Sequence, residues 1–99
     1  MTVSQLAPTQ VAADTARTVV DVREPDEVAT GAVAGSTAIP LGELAARVGE
    51  LDPSVPVITV CQSGRRSQQA AEALVAAGYD VANMAGGMNA WRDAGLPTA

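Results

Sequence analysis

The chain has 99 residues, 47% of them hydrophobic and 17% charged, with 6 basic against 11 acidic side chains and a net charge of −5. That size suits one domain around one core, spanning residues 1–99. So acidic a surface argues against nucleic acid as a partner, because binding phosphates needs clustered positive charge. One Cys and no His exclude an internal disulfide, a C-x-x-C redox pair, a cysteine-rich zinc site, a Ser-His-Asp triad and a Cys-His pair. Neither a metal nor a cofactor is expected. A nucleophile in this chain must be activated without imidazole.

The opening segment MTVSQLAPTQ has no basic n-region and no long apolar run. Neither a signal peptide nor a transmembrane span is expected, which points to the cytoplasm and away from a membrane partner. With one Trp, one Tyr and no Phe, the core must be built from Ala, Val, Leu and Ile.

Short β-branched runs alternate with helical patterns, the signature of an α/β fold with a mainly parallel sheet. Residues 3–6 read as a short edge strand and 8–15 as a weak helix with Pro8 in its first turn. The run TVVDV at 18–22 is short and apolar enough for a buried strand. Residues 25–30 make a turn or two of helix closed by Gly31. A short strand at 36–39 stops at Pro40. Leu44, Ala45, Val48 and Leu51 share one face of a helix expected at 42–51. After a turn at Asp52-Pro53-Ser54, PVITV at 56–60 is the strongest strand, and 67–77 the strongest helix, with Gly78 at its end. A last strand at 80–84 leads through Gly86-Gly87 to a short helix at 89–94.

The only Cys follows PVITV directly, opening Cys61-Gln62-Ser63-Gly64-Arg65-Arg66 ahead of a helix expected to begin at Ser67. This is a strand, a tight loop and a helix N-terminus. Ligands of open α/β sheets bind beyond the carboxyl ends of strands. A helix N-terminus offers unpaired N–H groups and a positive dipole end. A Cys placed there has its thiolate stabilised and its pKa lowered. Arg65 and Arg66 add positive charge, and Gly64 permits a backbone conformation closed to other residues. The plain alternatives are a small buried core residue for Cys61 and a solvated surface pair for Arg65 and Arg66.

These residues resemble a known family. Cys61-Gln62-Ser63-Gly64-Arg65-Arg66-Ser67 is similar to the C-x-S-G-x-R-S loop of the single-domain rhodaneses, the thiosulfate sulfurtransferase-like proteins. Val20-Asp21-Val22-Arg23-Glu24 resembles their upstream D-V-R-E motif, and Ile39-Pro40-Leu41 their I-P-L. Gly86-Gly87-Met88-Asn89-Ala90-Trp91 and Ala94-Gly95-Leu96-Pro97 resemble their closing G-G-x-x-x-W and A-G-L-P signatures. Together the matches run from Thr18 to Pro97. The chain departs from the family at Ala32, where a His of structural character is usual. It departs again at Gln62, where many members carry Arg, so the loop has one positive charge fewer.

The resemblance implies a three-layer sandwich, with a central sheet of about five mainly parallel strands and helices on both faces. It also implies a double displacement. Cys61 takes the outer sulfur of a small anionic donor such as thiosulfate, then passes it as a persulfide to a thiol, cyanide or protein acceptor. Loop N–H groups from Gln62 to Ser67 would cradle that sulfur. Arg66 and Arg65 would hold the donor's sulfonate. Ser63 would donate to the sulfur or simply serve the turn, and Ser67 would cap the helix. Asp21 and Arg23 would either orient a loop Arg or, preferably, form a structural ion pair. Trp91 reads as core or as a lid over the C-terminal segment, and a monomer is expected.

Two other readings compete. A Cys-based phosphatase needs C-x5-R, and here the Arg comes one position early, at Arg66, with Ser67 in the required place. A relay module that loads sulfur without free turnover would use the same persulfide.

Overall fold

The computed structural model describes residues 3–99. Five parallel strands form one sheet in the order β1-β5-β4-β2-β3. They are β1 (Ser4–Leu6), β2 (Thr18–Asp21), β3 (Thr37–Ala38), β4 (Val57–Val60) and β5 (Val81–Met84). The helices are α1 (Pro8–Ala13), α2 (Pro25–Val28), α3 (Leu44–Arg47), α4 (Arg65–Ala76) and α5 (Gly87–Asp93).

The central strand β4 is buried along its whole length, and its alternation separates two cores. Val57 joins Val20, Leu44, Leu51, Ala71 and Leu74 beneath α3 and α4. Ile58 and Val60 join Val11, Met84, Met88 and Trp91 beneath α1 and α5. The three layers expected from the sequence are therefore present. Aliphatic side chains fill most of both cores, joined by the fully buried Met84 and Met88, which the composition did not point to; Trp91 is the buried aromatic ring, and Tyr79 packs at the edge of the other core. Trp91 is buried and its indole N–H donates to the Pro97 carbonyl at 3.0 Å, pinning the C-terminal segment.

Among the boundaries that differ from expectation, including α2 ending at Val28 and α5 beginning at Gly87, three have a clear local cause. The helix expected over 42–51 is α only at Leu44–Arg47, flanked by 3₁₀ turns at Leu41–Glu43 and Val48–Glu50. Gly42 and Gly49 fall in those flanks, where glycine weakens the α-helix. The segment still buries Leu44 and Leu51 as its periodicity requires. α4 starts at Arg65, because Gly64 takes φ 97° as its N-cap and turns the chain at once into the helix. α1 stops at Ala13, two residues early, where the Asp14 carboxylate accepts the Ala16 N–H at 3.0 Å in a local turn.

Beside β4, the end of β2 carries a buried ion pair. Arg23 is 0% exposed and Asp21 1%. Arg23 Nε donates to Asp21 Oδ1 at 3.0 Å and Nη2 to Oδ2 at 2.9 Å. The rest of the guanidinium reaches the carbonyls of Glu27 at 3.1 Å and Gly31 at 2.9 Å. The pair ties α2 and the loop after it to the sheet. Replacing one partner strands the other as a lone buried charge, so Arg23→Ala is expected to cost about 3–5 kcal/mol of stability by urea denaturation. A loss below about 1 kcal/mol would show that water reaches the pair.

Candidate active site

The loop between β4 and α4 is shaped around one sulfur atom. Cys61 is 1% exposed. Its Sγ accepts the Gly64 backbone N–H at 3.0 Å and the Ser67 hydroxyl at 3.2 Å. Burial pushes the thiol pKa up, but the Ser67 hydroxyl and the backbone N–H groups of Ser67, Gly64 and Ser63 outweigh it and bring the pKa below the ordinary value.

Ser67 is therefore not the helix cap. It lies in the first turn of α4, fully buried, with its hydroxyl on the sulfur. Its own carbonyl accepts the hydroxyl of Thr59, a buried β4 side chain, at 2.9 Å. Ser63, the other hydroxyl considered for that bond, is exposed and contributes through its backbone.

A second loop holds the first in shape. The N–H of Met88 donates to the Cys61 carbonyl at 2.8 Å and that of Asn89 to the Gln62 carbonyl at 3.0 Å. The start of α5 thus takes up the loop carbonyls and leaves the loop N–H groups for the sulfur. The approach is so close that a Cβ on Gly87 would collide with the Cys61 carbonyl and lie 2.7 Å from that of Gln62. Gly87 also has φ 58°, so two separate constraints require glycine there. Gly64 packs against the same turn, where an added Cβ would lie 3.1 Å from the Gly86 nitrogen.

The Gln62 side chain is held on both sides. Its amide oxygen accepts Arg23 Nη1 at 3.2 Å and its amide nitrogen donates to Asn89 Oδ1 at 2.7 Å. It clasps the loop to the buried pair on one side and to α5 on the other. Asp21 and Arg23 form the structural ion pair, and neither loop arginine is oriented by Asp21. The carboxylate that meets a loop arginine is Glu27 of α2, which the sequence pattern did not single out. Arg66 Nη1 and Nη2 donate to Glu27 Oε1 and Oε2, each at 2.7 Å. The Arg66 hydrogen bonds, then the Glu24 backbone N–H, hold the Glu27 carboxyl down at about 2. Arg65 stands exposed at the edge of a shallow groove with Ser63, Gln68 and Asn83. Asn83 donates to the Gly64 carbonyl at 3.2 Å and was also not foreseen.

Among the described residues, no cluster of His, Cys, Asp or Glu is placed to hold a metal ion. No described helix is long and apolar enough to cross a membrane.

The family model for the rhodanese-like domain matches residues 5–94. A sulfurtransferase of Allochromatium vinosum is 38% identical over 79 residues, covering 79% of this chain and 74% of that protein. The thiosulfate sulfurtransferase GlpE of Pseudomonas aeruginosa is 34% identical over 94 residues, covering 92% and 86%. The crystal structure of a rhodanese-related protein from Thermoplasma volcanium superposes with a TM-score of 0.93 at 31% identity, covering 97% of each chain. A five-stranded parallel sheet, a lone Cys cradled where β4 meets α4 and a family match over nearly the whole length lead to one conclusion: this chain belongs to the rhodanese-like domain family.

Proposed function

We propose that the protein is a sulfurtransferase that carries sulfane sulfur as a persulfide on Cys61, with thiosulfate or a similar donor and a thiophilic acceptor. The observation that carries this reading is the cradle of Gly64 N–H and Ser67 hydroxyl, at 3.0 and 3.2 Å from Sγ. These donors stabilise a thiolate with no general base at hand. They also suit the negative charge of a bound persulfide.

In the first half-reaction the Cys61 thiolate attacks the outer sulfur of thiosulfate. A new S–S bond forms, the donor's S–S bond breaks, and sulfite leaves with the bonding pair. Cyanide or a thiolate then attacks the outer sulfur of the persulfide and returns the Cys61 thiolate. No external oxidant or reductant is needed. With no second Cys in the chain, the persulfide has no internal thiol to resolve it and waits for an acceptor.

The phosphatase reading is weaker. The loop is one residue short of C-x5-R, and the Arg nearest the required place, Arg66, is clamped by Glu27. A transferring phosphoryl group needs that guanidinium on its equatorial oxygens.

Thiosulfate treatment is expected to add about 32 Da to the peptide bearing Cys61, with cyanide removing the gain and Cys61→Ser abolishing it. A mass gain that persists in Cys61→Ser, or none in the native protein with any sulfane donor, would contradict the assignment. The rate of loading should follow the thiolate fraction, rising with pH and levelling off once Cys61 is ionised. Ser67 lowers the Cys61 pKa, so Ser67→Ala should move that inflection to higher pH and slow loading at neutral pH severalfold, with less effect at alkaline pH. An unmoved inflection would remove Ser67 from the cradle.

A further inference from the structure

We propose that Glu27 sets the charge preference of the Cys61 site, turning it away from dianionic donors and toward sulfane donors of low charge, above all persulfides of thiols. The inference rests on the sulfur-transfer reading and deepens it. Glu27 and Arg66, 39 residues apart in the chain, are joined by two bonds of 2.7 Å in a bidentate pair. The pair is only half-shielded, with side chains 30% and 36% exposed, and Arg66 is near enough to Cys61 for the guanidinium and a thiolate to attract one another. The carboxylate is also fixed from behind: Oε1 accepts the Glu24 backbone N–H at 3.1 Å in the capping box of α2. It is a rigid partner, already in place before any donor arrives.

The consequence is a balance of charge around the thiolate. Arg66 is offset by Glu27 and Arg23 by Asp21. Gln62 is neutral, and Glu24 adds a further acidic side chain at the start of α2. Arg65, exposed and turned to the neighbouring groove, is the remaining cation of the loop. A loop that looks strongly cationic in sequence is close to neutral in the fold. A dianion such as thiosulfate gains little there and must share Arg66 with a fixed carboxylate, so the site discriminates by withheld attraction. A thiol persulfide carries one charge or none at its reacting end and loses nothing by this. Its transfer balances in the same way: Cys61 thiolate attacks the outer sulfur, the donor's S–S bond breaks, and a thiolate leaves with the bonding pair.

Glu27→Gln isolates the charge. Gln keeps an oxygen for the capping box and for Arg66, so α2 retains its start. The rate constants for mass gain at Cys61 are compared for thiosulfate and for cysteine persulfide, in the native protein, Glu27→Gln, Arg66→Ala and the double variant, at low and high salt. The thiosulfate-to-persulfide ratio should rise about tenfold in Glu27→Gln at low salt, as expected when the Arg66 guanidinium is released from a carboxylate to face a dianion. The rise should shrink at high salt and vanish when Arg66 is also replaced. An unchanged ratio, or one that falls because Glu27 serves only to position Arg66, would overturn the proposal while sulfur loading itself survived. Failure of the native protein to load from either donor would instead overturn the sulfur-transfer reading, and this proposal with it.

Discussion

A sulfur anion buried in a folded protein must be solvated by the protein itself, and in this chain a serine hydroxyl and backbone N–H groups share that work. Cys61 is 1% exposed, and burial alone would keep its thiol protonated. The Gly64 N–H, its neighbours and the Ser67 hydroxyl reverse that tendency. Much of the surrounding structure keeps those donors unspent. Gly64 bends the chain so that α4 begins at once. The first N–H groups of α5 take the loop carbonyls, which leaves the loop's N–H side facing the sulfur. Gly87 lets α5 come that close. Thr59 and Asn83 fasten the first turn of α4 to β4 and β5.

The buried Asp21–Arg23 pair shows how a D-V-R motif at a strand end can matter for the site without touching the sulfur. Its guanidinium bonds a carboxylate, two carbonyls and the Gln62 amide. Ion pairs of this kind add little net stability against a well-packed apolar replacement, yet they are unforgiving when broken. Here the pair joins β2, α2 and the loop that opens at Cys61, three segments that must agree in position for Glu27 to reach Arg66.

The layered fold and the placing of Cys61 at a strand–helix junction were legible in the sequence because they depend on local patterns. The short β-branched run PVITV, apolar periodicity in 67–77 and a Cys at a strand–helix junction each act over a few residues. What was not legible depends on partners brought together by the fold. Glu27 looks like an ordinary first-turn acid of a short helix until α2 is laid beside the loop. Gln62 looks like a loop residue open to substrate until Asn89 and Arg23 close on it. Ser67 illustrates a subtler case: a serine near a helix start usually caps it, but glycine at 64 moved the start back and left the hydroxyl one turn inside, against the sulfur. The misplaced boundaries around 41–50 have the same origin, since glycine's conformational freedom is resolved only by tertiary packing.

Backbone N–H groups and one hydroxyl favour the thiolate of Cys61 in an acidic chain without histidine. Ultraviolet titration of the resting protein reads this directly, because thiolate absorbs where the thiol does not and Cys61 is the sole thiol. An ionisation midpoint clearly below the value of about 8.5 for a free cysteine is expected. A midpoint at or above that value would show that burial wins over the cradle and that Cys61 rests as a thiol.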